Sequence, residues 1–410
     1  MPFSFLLAAV LGASLTPPVT DPLGLAEAVH IAQSQDDPSS AQFGAMAESQ
    51  RHRAAAAAVL PDPTLGAAIT GLPLATLDPE GEPMTQLRLS VRQMFPRGDT
   101  LRLSSQERLA QAAADEARRD LAEREIVRDV RLAWLEGHYW DRAEHLTRLR
   151  IDTVTELTGA ALSSYSAGQQ NGHDVIRSEL ESLVLENRLR EIARHRETAL
   201  AELERYVGPD AARRPIAPQS PRLPHIAEVD RLESGLTRHP AVAVADAAIR
   251  EREVRVDLAL QEYRPAWGIE AGYGLRGGRS DVASIGVSVE MPLFERRRQD
   301  EGVAAARDEI AAGELARQAL LLDMRRSLVI EVSRLDRLTE QEVHQRDAVL
   351  PAARDTREAV LEAYQNDVAD FPELVRAELA LLDAELALQR LETDRNAATA
   401  RILFLAGDVQ

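Results

Sequence analysis

The chain has 410 residues, 45% apolar, 28% charged and 4% aromatic, with 66 Asp plus Glu against 48 basic residues, all of them arginine, and no cysteine. A net charge of −18 without a basic stripe excludes a general nucleic-acid binder, because phosphate neutralisation needs locally clustered positive charge. The lack of cysteine excludes disulfides, thiolate metal sites and cysteine nucleophiles, and permits an oxidising compartment.

Residues 3–15 read FSFLLAAVLGASL, an apolar run of signal-peptide length ending in small residues, and the turn-rich TPPVTDP follows at 16–22. A signal peptide over residues 1–20 is expected, although a basic n-region is missing; a buried N-terminal helix is the other reading. No internal stretch reaches the ~18 uninterrupted apolar residues of a membrane-spanning helix.

The chain is written twice. YSAGQQNGHDVIRSELE at 165–181 aligns with YQNDVADFPELVRAELA at 364–380, an offset of 199 residues (165 to 364). The same offset carries Val207-Gly208 onto Ala406-Gly407, and near offsets carry Pro63 onto Pro265 and Ser90-Val91 onto Ser288-Val289. The unit is far longer than a solenoid repeat, so two copies of one domain are expected, over 21–215 and 216–410.

Each copy begins with a helical segment, 23–60 or 226–263, interrupted by Pro61, Pro63 or Pro265. A period of two follows. Leu87, Leu89 and Val91 alternate with Arg88, Ser90 and Arg92; Trp267, Ile269, Ala271, Tyr273 and Leu275 alternate with Gly268, Glu270, Gly272 and Gly274. Strands are expected at about 64–74 and 84–94 in copy one, and at about 266–276 and 282–292 in copy two, one hairpin per copy. Their length, nine to eleven residues, exceeds that of ordinary soluble strands and suits a tilted strand crossing the hydrocarbon layer. Four such strands cannot close a barrel alone, and open edges in lipid leave unpaired backbone groups at several kcal/mol each. If they cross a membrane, several chains must share one barrel.

The remainder reads as helix. No proline or turn cluster interrupts 98–164, a run of roughly 100 Å if continuous. Copy two repeats it over 295–363, with a kink expected at Pro351. Ile126, Val130, Trp134 and Leu135, or Leu328, Val332, Leu335 and Leu338, recur every three or four residues, as in a helix packed along one seam. Turns at 165–172 and 364–371 lead into return helices that end near 207 and 405.

LPDP at 60–63, MTQLRLSVRQMFPRG at 84–98, HPAVAVADAAI at 239–249, VSVEMPLF at 287–294 and YSAG at 165–168 followed by Asp174-Val175 together carry a family resemblance. With the duplicated plan, the chain beyond about residue 22 resembles the TolC family of outer-membrane efflux factors. The resemblance implies a mainly α fold with a small β part. Three chains would pool their strands into a twelve-stranded transmembrane barrel and their helices into a periplasmic tunnel. It implies an efflux duct of a tripartite export system in the outer membrane, with a periplasmic extension, partnered by a periplasmic adaptor and an RND-type inner-membrane pump. The LPDP and MTQ…FP segments are closer to the heavy-metal branch, which points to metal cations as cargo; drugs or other small organic solutes are the alternative. A soluble periplasmic coiled-coil scaffold or adaptor, whose hairpins never enter lipid, is the alternative of another class.

In the family, acidic residues nine positions after each turn tyrosine face a constriction at the tip; the matching residues are Asp174 and Glu373, with Asp367 and Asp370 nearby. Tyr165 and Tyr364 are candidate gate hydrogen-bond partners, and Arg177 and Arg376, one helical turn after the acids, could neutralise them. Gly168, Gln169 and Asn366 are the expected adaptor contacts, and Asp367 stands where copy one has Gly168. Simpler roles compete: Asp174, Asp370 and Glu373 as helix N-terminal carboxylates, with Asp370 capping before Pro372, and the tyrosines as turn packing. No catalytic set and no cofactor is expected. His138 and His145 share a helical face without a third ligand, the glycines at 272–278 lack a following Lys-Ser, and Trp134, Tyr139 and Trp140 read as packing residues.

Overall fold

A computed structural model of the chain describes residues 21–75, 77–78, 82–166, 172–221, 223–224, 226, 229–366 and 368–406. The expected signal peptide, 1–20, lies outside the described residues. Helices α1 (Leu25–Ser34) and α2 (Pro38–Ala57) lead to strands β1 (Thr64–Thr70) and β2 (Gln86–Phe95), then to α3 (Thr100–Ser166), α4 (Gly172–Val207) and the single turn α5 (Pro209–Ala212). The second half repeats the order: α6 (Val229–Gly235) and a 3₁₀ turn (Leu236–Arg238), α7 (Pro240–Gln261), β3 (Ala266–Leu275), β4 (Val282–Glu290), α8 (Glu295–His344), a π turn (Gln345–Val349), α9 (Leu350–Gln365) and α10 (Phe371–Ala406).

The two copies start their corresponding helices alike. Asp37 precedes Pro38 at the head of α2 and accepts from Ser39 N at 2.8 Å; His239 precedes Pro240 at the head of α7 and its Nδ1 accepts from Ala241 N at 3.1 Å. Proline is tolerated there because the first helical N–H has no partner anyway. Gly98, at φ +44°, turns β2 into α3; a Cβ there would collide with the Arg264 and Gln261 side chains.

The strands form one antiparallel sheet in the order β1-β2-β3-β4, so the two hairpins are joined through β2 and β3. Strand β1 ends at Thr70, four residues short of the expected 74. Gly71 takes φ +72°, and the Thr85 hydroxyl donates to its carbonyl at 2.7 Å, closing the hairpin early. Strand β4 stops at Glu290, before Pro292.

The long helix of copy one runs unbroken for 67 residues. Its counterpart, expected as one helix over 295–363, is divided. Pro351 has no N–H to offer residue 347, and the turn ahead of it widens so that Leu350 N bonds Gln345 O across five residues. No helix among the described residues is long and apolar enough to cross a membrane.

Contacts gather the chain into two compact units, each drawing on both sequence copies. The first takes the described residues among 21–35, 127–224 and 335–400. Trp134 is fully buried there and its indole donates to Leu23 O at 2.9 Å, while Leu23 pairs in parallel with Ile216. A second cluster joins Ala143 and Val154 of α3, Leu185 and Ile192 of α4, and Phe371, Val375, Leu382 and Leu386 of α10, the helical spacing of one apolar stripe. The other unit takes the described residues among 36–126, 226–334 and 401–406. It holds the sheet and buries Leu103, Val242 and Leu328. Arg255 of α7 ties to Glu107 of α3 at 2.9 Å.

Candidate functional site

The sheet register sorts side chains into two chemically distinct faces. Leu65, Val91, Ala271 and Ile285 stand side by side, as do Ala67, Leu89, Tyr273 and Ala283, and Phe95, Trp267 and Val289. The Phe95 and Trp267 rings stack at 4.1 Å. This face is apolar and largely bare: Leu65, Leu89, Val91 and Val287 are exposed, and Ile285 reaches 83%. The other face carries Arg88, Ser90, Arg92, Glu270, Ser284 and Ser288 with glycines between them. Arg88 pairs with Glu270 at 2.7 Å and Arg92 donates to Ser288 Oγ at 3.1 Å. The outer edges of β1 and β4 have no strand partner among the described residues. Such a sheet meets neither solvent well: water leaves the apolar face uncovered, and lipid leaves the edges unpaired.

At the helix turn, Gly168, Gln169 and Asp367 lie outside the described residues. Tyr165 sits in the last turn of α3, Asp174 in the first turn of α4, and Arg177 is exposed one turn later. In copy two the geometry is fuller. The Asp370 carboxylate accepts from Glu373 N at 2.8 Å, capping α10. Glu373 is exposed in the first turn, where the helix dipole favours a negative charge. Arg376 Nε donates to Pro372 O at 3.2 Å, and Glu373 has no ion-pair partner among the described residues. Asn366 Nδ2 donates to Glu362 O at 2.7 Å, and the Tyr364 ring packs on Phe371 at 5.8 Å, against the α10 cluster. Asp370 and Glu373 thus meet at one helix start, while Arg376 turns to the backbone.

Near the helix turn lies a feature that sequence reasoning missed. Glu378 of α10 is completely buried and held from both sides, by Arg150 of α3 and by Arg357 of α9 at 2.6 Å; Arg150 also reaches Glu385 at 3.1 Å. Glu342, almost as buried, is held by Arg346 and by Arg395 at 2.9 Å, beside the π turn. The readable signal was position: Glu378 follows Leu374 and Val375 and precedes Leu381 and Leu382, so it occupies a slot of the apolar stripe.

Other candidates are structural. His138 is buried, its ring stacked on Trp134 at 5.1 Å, and burial lowers its pKa; His145 on the same helix is exposed. His239 contacts Phe404 through its ring and, at 3.1 Å, through Nε2 and the Phe404 carbonyl. Burial first, then the Arg124 charge, depress its pKa. No group of three or more His, Asp or Glu among the described residues could hold a metal ion.

No family model matches the sequence, and no curated protein does. Solved structures do match. A membrane protein of Pseudomonas aeruginosa is 18% identical, with a TM-score of 0.79 over 93% of this chain and 92% of that one. The CmeC outer membrane channel of Campylobacter jejuni is 13% identical, with a TM-score of 0.77 over 93% and 85%. CusC, described with transmembrane channel formation, is also 13% identical, at 0.77 over 93% and 92%. The duplicated helix–hairpin–helix chain, with its bare apolar sheet face and sheet edges unpaired among the described residues, therefore has the fold of these membrane proteins, the CmeC outer membrane channel among them, the fold that its resemblance to the TolC family implied.

Proposed function

We propose that three copies of the chain form an outer-membrane duct that passes substrate from the periplasm to the exterior. The observation that carries this reading is the sheet, with its bare apolar face and its two unpaired edges. Joining the β4 edge of one copy to the β1 edge of the next gives twelve strands from three four-stranded sheets, and closure removes every edge. The apolar face then meets lipid and the Arg–Glu–Ser face lines water. Strands β2, β3 and β4, of nine or ten residues, are long enough for a tilted crossing of a ~25 Å apolar band. A soluble scaffold would have no use for such a face.

The same reading assigns the helix turns to the periplasmic end, where an adaptor and an RND-type inner-membrane pump of a tripartite system would engage. Gly168, Gln169 and Asn366 are the adaptor contacts, and Tyr165, Tyr364, Arg177 and Arg376 belong to the gate. Asp174 and Glu373, repeated by threefold symmetry, become carboxylate rings that concentrate cations, with Asp367 and Asp370 adding charge. The Glu373 carboxylate, without an ion-pair partner among the described residues, supports this role better than Asp370, which is committed to its cap. Acidic rings suit metal cations as cargo, and organic cations equally.

Mass measurement in detergent tests the assembly: a trimer is expected, and a monomer soluble in plain buffer overturns it. For the rings, the double variant Asp174→Ala with Glu373→Ala in planar bilayers is expected to weaken cation selectivity and block by divalent ions. Unchanged selectivity and block reject that role.

A further inference from the structure

The polar face of the sheet is flat for a reason that the register explains. Strand β3 presents glycine at 268, 272 and 274, and side chains of the flanking strands lie across them. A Cβ on Gly272 would come within 2.7 Å of Ser284 Oγ and 3.1 Å of Arg88 Nε; one on Gly268 would come within 2.7 Å of Met94 Sδ; one on Gly274 would collide with the Gln86 amide. Arg88 Nε is occluded and has no acceptor among the described residues, and it rests against the glycine. Its guanidinium is tied down by Glu270, 2.7 Å away. Glu270 lies directly opposite Arg92 in the register but bonds Arg88, and Arg92 is tethered to Ser288. Nearer the helices, Arg97 is tied to Glu290 at 2.6 Å. Arg88 and Arg92 of β2 are thus held by β3 and β4, and Arg97, just past the end of β2, is held by the last residue of β4.

We propose that Arg88, folded over Gly272 and clamped by Glu270, sets the bore and the charge selectivity of the barrel. The inference rests on the three-chain duct proposed above. In that assembly the clamp keeps three guanidiniums on the wall, each matched by a carboxylate. Releasing it would raise three cationic side chains toward the axis at one level, narrowing the passage and favouring anions.

The test uses the full-length protein in planar bilayers. Reversal potential is measured under a KCl gradient, and the size cutoff for neutral polymers is measured from the barrel end, so that the helix-turn constriction does not set the reading. Glu270→Gln and Gly272→Val are both expected to lower the polymer cutoff and to shift the reversal potential toward chloride. Adding Arg88→Gln to Glu270→Gln is expected to reverse both changes. Glu270→Gln keeps the proposal testable if the bulkier valine prevents assembly. A cutoff and reversal potential unchanged in Glu270→Gln overturn the role of Arg88. An unsubstituted protein that forms no channel overturns the duct reading itself.

Discussion

The return helices α4 and α10 carry the same motif in opposite environments. Ile176-Arg177-Ser178-Glu179-Leu180 and Val375-Arg376-Ala377-Glu378-Leu379 align at the repeat offset, yet Ile176 is 69% exposed and Val375 is fully buried, and Glu179 is exposed where Glu378 is enclosed. The partners explain the difference. Glu378 is held by Arg150 and Arg357; the repeat offset turns these positions into Val349 and Thr158, so the positions equivalent to its partners offer Glu179 no guanidinium. An unmatched carboxylate cannot be buried without a penalty of several kcal/mol, and Glu179 stays in water. Leu180, Leu183 and Val184 beside it are exposed too, which leaves on α4 an apolar stripe that the described residues do not cover. Duplication copied the helix; the neighbours decided what it faces.

The contrast breaks most directly at the clamp. Glu378→Ala, leaving two arginines facing an emptied slot, is expected to destabilise the protein by about 3–5 kcal/mol in urea unfolding. Glu179→Ala is expected to stay within about 0.5 kcal/mol. Equal effects would mean that burial does not distinguish the copies.

The helix heads sharpen the comparison, because Asp37 and His239 do the same job with different acceptors. Burial and Arg124 hold the folded pKa of His239 below its unfolded value of about 6.5. The neutral ring's contribution is therefore complete above that pH and is lost as pH falls through the lower folded value, when a protonated Nδ1 can no longer accept from Ala241 N. The thermal midpoint is expected to drop between pH 7 and pH 5, and His239→Asn, which keeps a capping oxygen, is expected to flatten that drop. An identical pH profile in the variant would remove His239 as its source.

The smallest expected effect lies at the tip. Asp370→Ala is expected to cost about 1 kcal/mol through the lost cap, and Glu373→Ala a few tenths through the helix dipole. Thermal unfolding of the two variants ranks them, and a larger loss in Glu373→Ala would show a structural role that its exposed carboxylate does not suggest.

Much of this was legible along the chain. The strand alternation at 86–92 and 267–275 was readable because a sheet with two unlike faces writes period two into its residues. The long helices were readable from an apolar stripe free of prolines over 98–164. The end of β1 was not, since Gly71 and the Thr85 bond close the hairpin from outside the alternating run. Pro351 signalled a break in the helix, but the π turn ahead of it depends on how the backbone absorbs a missing donor. The cap at Asp37 before Pro38 was legible, since aspartate is a common capping residue, whereas the cap at His239 was not, since histidine is not one.

By itself, then, the sequence determined periodicity, repeat and element type, because these follow from side-chain pattern and backbone sterics within a few residues. Only the tertiary structure decided which glutamate is buried, which apolar face stays bare and which arginine lies flat on glycine. Those outcomes depend on groups far apart in the chain, as in the 228 residues between Arg150 and Glu378. No local pattern states in advance whether a distant partner will arrive to match a charge or cover a face.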